Sequence, residues 1–211
     1  MSAPPKPKPK PGKIRVFRAL YNYTAQQPDE LSFEEGDIIY VPDNNEQEGW
    51  WRATCRGKSG LVPSNYISSG AESIDFPLHE ASKRGNMEFL CQCLSNQVSV
   101  NGLDKSGSTP LYWASHSGHT PAVQALLKQA NINLDAQNKL GDTALHAASW
   151  KGHAAVVSLL LDSGADTSLF NNDNKTAMQM CKDPDTLALL QRALQEQPVN
   201  QIEDYCGSDS D

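Results

Sequence analysis

Four stretches of the 211-residue chain gather side chains suited to recognition: Ala19-Leu-Tyr-Asn-Tyr23, Glu30-Leu-Ser-Phe-Glu-Glu-Gly-Asp-Ile-Ile39, Trp50-Trp51 and Gly60-Leu-Val-Pro-Ser-Asn-Tyr66. Flat aromatic walls complement the ridges of a polyproline II helix, and such a set suits a protein that grips other proteins. Residue types that make or break bonds lack company. Lys58-Ser59 has no upstream glycine of a phosphate loop, and His116 and His119 have neither cysteine nor carboxylate partners at zinc spacing. No nucleophile stands beside a base in recognisable context. Cys91-x-Cys93 falls in a helical pattern and reads as inert packing. An enzyme or metal protein built on His116 or Cys181 is therefore the disfavoured rival. No catalytic residue, metal or cofactor is expected.

The elements that must hold those rings are short strands. Ile14-Arg-Val-Phe-Arg-Ala-Leu20 alternates, Asp37-Ile-Ile-Tyr-Val41 is β-branched and aromatic, and Gly49-Trp-Trp-Arg-Ala-Thr-Cys55 alternates again. Arg56-Gly-Lys-Ser59 reads as a tight turn before Gly60-Leu-Val62. Several short strands between Lys13 and Ser69 imply a small barrel or two packed sheets. Residues 1–12, with prolines at 4, 5, 7, 9 and 11, are unsuited to helix or ladder strand and read as a disordered Pro/Lys-rich tail.

After Gly70 the chain repeats itself. Pro77-Leu-His-Glu-Ala81, Pro110-Leu-Tyr-Trp-Ala114, Ala144-Leu-His-Ala-Ala148 and Ala177-Met-Gln-Met-Cys181 start 33, 34 and 33 residues apart. Gly85-Asn86, Gly118-His119 and Gly152-His153 follow in three of them, each ahead of an apolar helical run. Two short helices and a glycine turn at this period are the ankyrin signature. Thr109 and Thr143 are placed to cap the first helix, Pro110 fits its opening turn, and Thr120-Pro121 repeats the logic for a second helix. Gly107 and Gly141 permit positive φ in the preceding turn, and Asn174 stands at that place in the fourth repeat. The first unit lacks the Gly-x-Thr opening and the fourth the central glycine, as end caps would. The expected repeats span about 72–104, 105–137, 138–170 and 171–194, with a disordered acidic tail over 195–211.

Charge narrows the partners. Residues 1–12 carry three lysines and no acids, whereas residues 194–211 carry 5 acids and no bases; the whole is at −7. An acidic chain without a basic stripe is a poor ligand for nucleic acid. No apolar run approaches a membrane span, so no membrane insertion is expected. The opening residues carry no signal-like apolar core. Five cysteines at irregular positions fit reduced thiols and a cytoplasmic location. Ser208 and Ser210 precede acids and are candidates for acidophilic kinases.

The N-terminal motifs resemble the Src-homology 3 (SH3) family over residues 13–69, in the family's order. The resemblance implies an all-β SH3 barrel followed by an all-α ankyrin-repeat solenoid over 72–194. It places a peptide groove on Tyr21, Tyr23, Trp50, Pro63 and Tyr66, with Asn65 donating a side-chain hydrogen bond. It places the acids that meet a ligand Arg or Lys at Asp29 and Glu30. Trp51 is read as structural. Asn22 replaces the family's aspartate away from the groove, and Leu61 replaces a frequent tyrosine, which softens one pocket. The acidic loop with Asp43, Glu46 and Glu48 favours ligands with extra bases or is simply solvated. In ankyrin proteins the residues before the turn glycine and the fingertips face the partner, here Lys83, Arg84, His116, Ser117, Trp150 and Lys151 with Lys105, Ser106, Lys139 and Leu140. His79 and His146 match the family's inter-repeat histidine, and Trp113 is read as core. SH3-then-ankyrin order resembles a family of monomeric intracellular adaptors, implying proline-rich partners, an unidentified ankyrin partner, Src-family kinase signalling, and indirect promotion of osteoclast formation and bone resorption. A cytoskeleton-associated structural scaffold, or an autoinhibited SH3 module clamped by Pro4 to Pro11, stays as the alternative.

Overall fold

The computed structural model describes residues 14–42, 49–69 and 71–196. The chain divides into two compact units, one up to Gly102 and one from Leu103. The first holds β1 (Ile14–Ala19), β2 (Ile38–Pro42), β3 (Trp50–Cys55), β4 (Lys58–Pro63), α1 (Ser64–Ser68), β5 (Ala71–Ile74), α2 (Pro77–Arg84) and α3 (Met87–Ser95). Its strands form one antiparallel sheet in the order β4-β3-β2-β1-β5, an open ladder among the described residues. The expected turn is tighter than the sequence suggested. Lys58 and Ser59 already pair in β4, leaving Arg56 (φ 50°) and Gly57 (φ 74°) as a two-residue connection with both residues left-handed, which matches the twist of the flanking strands. β5 lies beyond the residue-69 boundary drawn from the motifs, pairing Val16 with Ile74 and Ala19 with Ala71.

Phe17, Ala19, Leu31, Phe33, Ile39, Val41, Ala53, Cys55, Val62 and Ile67 make the core on one side of the sheet. Val16 and Tyr40, facing each other across β1 and β2, are buried too but outside that cluster. Tyr40 meets α3, where its hydroxyl lies 3.9 Å from Cys93 Sγ. Consecutive burial of Ile39, Tyr40 and Val41 is what a strand covered on both faces shows. Burial pushes the Cys93 thiol up to about 12, so this cysteine packs as an inert apolar group, while Cys91 two residues earlier is exposed. The first helix pair thus belongs to the same compact unit as the sheet.

The second unit holds α4 (Pro110–His116), α5 (Thr120–Leu127), α6 (Ala144–Lys151), α7 (Ala154–Asp162), α8 (Ala177–Met180) and α9 (Pro184–Glu196). α4, α6 and α8 pack in one row, and α5, α7 and α9 in another. Leu111, Leu126, Leu145 and Leu160 are fully buried where the helices meet. The Thr109, Thr143 and Thr176 hydroxyls cap α4, α6 and α8, each accepting from the backbone N–H three residues on. At α6 the box is completed by a histidine: Thr143 N–H donates to His146 Nδ1, and His146 Nε2 donates to the Lys175 carbonyl at 3.1 Å. His79 Nε2 makes the matching bond to the Gly102 carbonyl at 2.9 Å within the first unit. Thr120 is not a cap. It is the first helical residue of α5, His119 stands before it, and no side-chain cap bond forms. α9 runs to Glu196, two residues past the expected boundary. Asp183 starts it by accepting from Thr186 N–H at 2.8 Å and from its hydroxyl at 2.7 Å.

Candidate functional site

The loop between β1 and β2 folds back on itself through Tyr23 and Phe33, which exchange backbone hydrogen bonds of 2.8 and 3.0 Å. That pairing sets the Tyr23 ring against Phe33 (centroids 5.5 Å) and edge-on to Tyr66 (5.1 Å, 63°). Such edge contacts are favoured by the ring quadrupoles. Asn22 holds the same loop from outside, its Oδ1 accepting from Glu35 N–H at 2.7 Å. Arg56, at the tip of the β3–β4 turn, reaches Asp37 (Nε, 2.9 Å) and Glu34 (Nη2, 2.8 Å). Sequence reasoning missed both clamps; the Glu34-Glu35-Gly-Asp37 acid run was their only trace.

The acids sit where Gly60 lets them. Leu61 N–H donates to the Asp29 carbonyl and Leu31 N–H to the Leu61 carbonyl, each at 2.8 Å. A Cβ on Gly60 would stand 3.0 Å from the Asp29 carbonyl oxygen and 3.1 Å from Leu31 Cβ, so a side chain here would press the Asp29 backbone back by a few tenths of an ångström. Glu30 is anchored internally through one of its oxygens. That oxygen accepts from the Tyr23 hydroxyl at 2.8 Å and from Gln26 N–H at 2.5 Å. The Gln26 amide, more than the Tyr23 hydroxyl, holds its carboxyl below the usual glutamate range. In turn burial first, then the Glu30 carboxylate, pushes Tyr23 up to about 12. Asp29 is exposed.

Among the other expected groove residues, Tyr21 is 62% exposed and Trp50 36%. Asn65 is exposed and Tyr66 half-buried. Pro63 is paired in register with Trp50 and is buried, so it offers little open surface of its own. Trp51 is half-buried with the Arg15 guanidinium 5.0 Å above its ring. Asp43, Glu46 and Glu48, the tail prolines and lysines, Ser208 and Ser210 lie outside the described residues.

In the second unit a further aromatic surface forms. His116 stacks on Tyr112 (6.2 Å, 22°) and meets Trp113 (5.6 Å) and Trp150 (5.9 Å). Trp150 is 45% exposed, and Lys151 Nζ lies 4.1 Å from its ring centroid. Trp113 is not core. It is half-buried and its indole N–H donates to Asp104 Oδ2 at 2.7 Å. Burial raises the Asp104 carboxyl, but the Ser106 hydroxyl, the Trp113 indole and the Ser106 and Ser108 amides together hold it below the usual range. Lys139 and Leu140 sit on a finger braced by Asn172, which bonds both their carbonyls at 2.9 Å; Leu140 is 64% exposed. Lys83 and Arg84 end α2 of the first unit, exposed, with Arg84 paired to Glu80. His153 reaches the His116 carbonyl at 3.2 Å. Among the described residues no three His, Cys, Asp or Glu side chains gather as a metal site, and no helix is long and apolar enough to cross a membrane.

Residues 18–64 match the SH3 domain family, and residues 53–138 and 78–172 match ankyrin repeats. Both are non-catalytic interaction modules, which makes the chain a protein-interaction adaptor. Among curated proteins it is similar to osteoclast-stimulating factor 1 from Bos taurus (57% identical, 97% of both chains) and Mus musculus (56%, 97% of both). The Rattus norvegicus protein of that name is 59% identical over 91% of this chain and 89% of its own. With this identity along nearly its whole length, and with the SH3 module ahead of the repeats, the chain belongs to the osteoclast-stimulating factor 1 family.

Proposed function

We propose that the chain is a cytoplasmic signalling adaptor whose first unit binds proline-rich segments and whose repeats hold a second protein. The observation that carries this is the Tyr23–Tyr66 edge pair, tied through the Tyr23 hydroxyl to Glu30, with Tyr21 and Trp50 exposed in the same module. Proline rings enter between Tyr21, Tyr23, Trp50 and Tyr66 over the Pro63 support. Asn65 donates to a ligand carbonyl, and Asp29 and Glu30 meet a flanking Arg or Lys. The fold that goes with this is an SH3 barrel closed by loop contacts such as the Glu30–Leu61 bridge, followed by an ankyrin solenoid. The relatives' name speaks of osteoclast stimulation alone; we propose further that the chain promotes osteoclast formation and bone resorption indirectly, in Src-linked signalling.

Affinity in the groove is modest, because a short peptide offers few buried side chains against the cost of ordering it. Titration of a labelled Arg-bearing proline-rich peptide tests the groove. Trp50→Lys should abolish binding while leaving the thermal melt in place; unchanged binding would sink the assignment. Osteoclast counts in precursor cultures given wild type or the Trp50→Lys chain test the cellular part.

A further inference from the structure

We infer that the surface around Trp150 in the second unit docks an acidic protein segment in trans, one carrying an apolar or aromatic anchor. This rests on the proposal that the repeats are a second protein-binding module, and it names the partner's chemistry. Trp150 and Lys151 end α6 and are both exposed, with the ammonium 4.1 Å from the ring centroid. His116 extends the ring surface, 5.9 Å from Trp150 and stacked on Tyr112. An exposed tryptophan on a preformed aromatic floor is the kind of residue that anchors an interface.

An acidic partner follows from the Lys151 cation and from what the acids of this unit already hold. Asp104 accepts from Trp113, Ser106 and Ser108. Asp142, itself buried, accepts from the Asn171 amide at 2.8 Å. Asp183 lies against Gly152, the residue after Lys151, yet its carboxylate oxygen is taken by the first turn of α9. These carboxylates keep their charge but are turned onto their own donors, and Lys151 has no carboxylate partner among the described residues, so its ammonium, held over the Trp150 ring, is left for an incoming acid. A carboxylate on the incoming chain completes that arrangement, and an adjacent apolar side chain covers Trp150.

The test uses the full chain carrying Trp50→Lys, so that the groove is silent. Two labelled twelve-residue peptides serve as probes, one with a central Phe flanked by Glu and one with Lys in place of each Glu. The acidic probe should bind, and Trp150→Ala should weaken it on the order of tenfold. Lys151→Glu should weaken the acidic probe and strengthen the lysine probe, while Trp150→Phe keeps most of the affinity and shows that the surface still folds. Equal binding of both probes, or indifference to Trp150→Ala and Lys151→Glu, overturns the inference. Binding seen only after truncation at Glu196 also overturns it, because the chain's own acidic terminus is then the occupant. Random peptides selected on the same protein separate the two levels of failure. Trp150-dependent peptides without acids remove the acidic partner and leave the second module standing; no Trp150-dependent peptide removes both. Affinity of the proline-rich peptide for the groove, measured with Trp50 intact, should stay unchanged in the Trp150 and Lys151 variants.

Discussion

The proposed groove of the first unit and the Trp150 surface of the second both present aromatic rings, but the rings are held by different means. Around Tyr23 the support is local and polar: backbone exchange with Phe33, a hydroxyl on Glu30, and a glycine that lets β4 approach. Around Trp150 the support is the repeat itself. Residues at matching places of α4 and α6 are brought side by side by packing, with Leu111 and Leu145 buried beneath. A loop-built site ties each ring to one arrangement. A repeat-built site fixes positions and leaves the identity of the exposed residue free to vary.

The largest effect should come from the packing beneath the second surface. Leu145→Ala removes a fully buried side chain and should cost about 2–5 kcal/mol, read as a lower urea midpoint. Binding of the proline-rich peptide should persist at denaturant concentrations below the transition. Its loss there would show that the two kinds of support are not separable. Glycines sharpen the contrast next. A Cβ on Gly141 (φ 77°) would lie 2.7 Å from the Asn172 backbone nitrogen, whereas one on Gly36 (φ 90°) would meet nothing within 4 Å. Gly36→Ala should cost about 1–2 kcal/mol from backbone strain alone, and Gly141→Ala distinctly more because backbone must also move. Equal losses in denaturant titrations would refute the claim that the finger is the tighter of the two.

A smaller effect is expected from Tyr23→Phe. Glu30 has a folded pKa below its ordinary value, so its contribution is present above the ordinary glutamate range and is lost as pH falls through the folded value. Removing the hydroxyl should shrink that acid-side loss, with the Gln26 amide keeping the larger share of the effect. Thermal melts across the acidic range, wild type beside variant, read this directly. Smallest of all is the alkaline side. Tyr23 in the wild type should ionise only near 12, so its stabilising share holds below 10 and fades as pH rises through that folded value. Ultraviolet titration of wild type against Tyr23→Phe would show whether the late-ionising phenol is this one.

Much of the second unit could be read from spacing, because Thr109, Thr143, Gly107, Gly141 and Asn174 obey local backbone rules that need no knowledge of neighbours. Thr120 misled for the same reason in reverse: a cap-like residue before a proline entered the helix one step early. In the first unit the strands showed as alternation, but the continuous burial of Ile39, Tyr40 and Val41 has its cause in a helix more than 50 residues away along the chain. β5 is only four residues long and two of them are polar, leaving no period to detect. At the candidate groove the residue types were legible and their partners were not. Nothing in Glu30-Leu-Ser-Phe33 says that Glu30 already holds Tyr23, and nothing around Trp113 says that its indole reaches back to Asp104.

The neighbouring thiols of α3 amount to a built-in clock. Cys91 faces solvent while Cys93 lies under Tyr40, so an alkylating reagent should mark the first at once and the second only when the helix pair lifts from the sheet. The ratio of singly to doubly labelled peptide, followed by mass spectrometry, reports how often that lift occurs, with the faster cysteine serving as the reference for reagent strength.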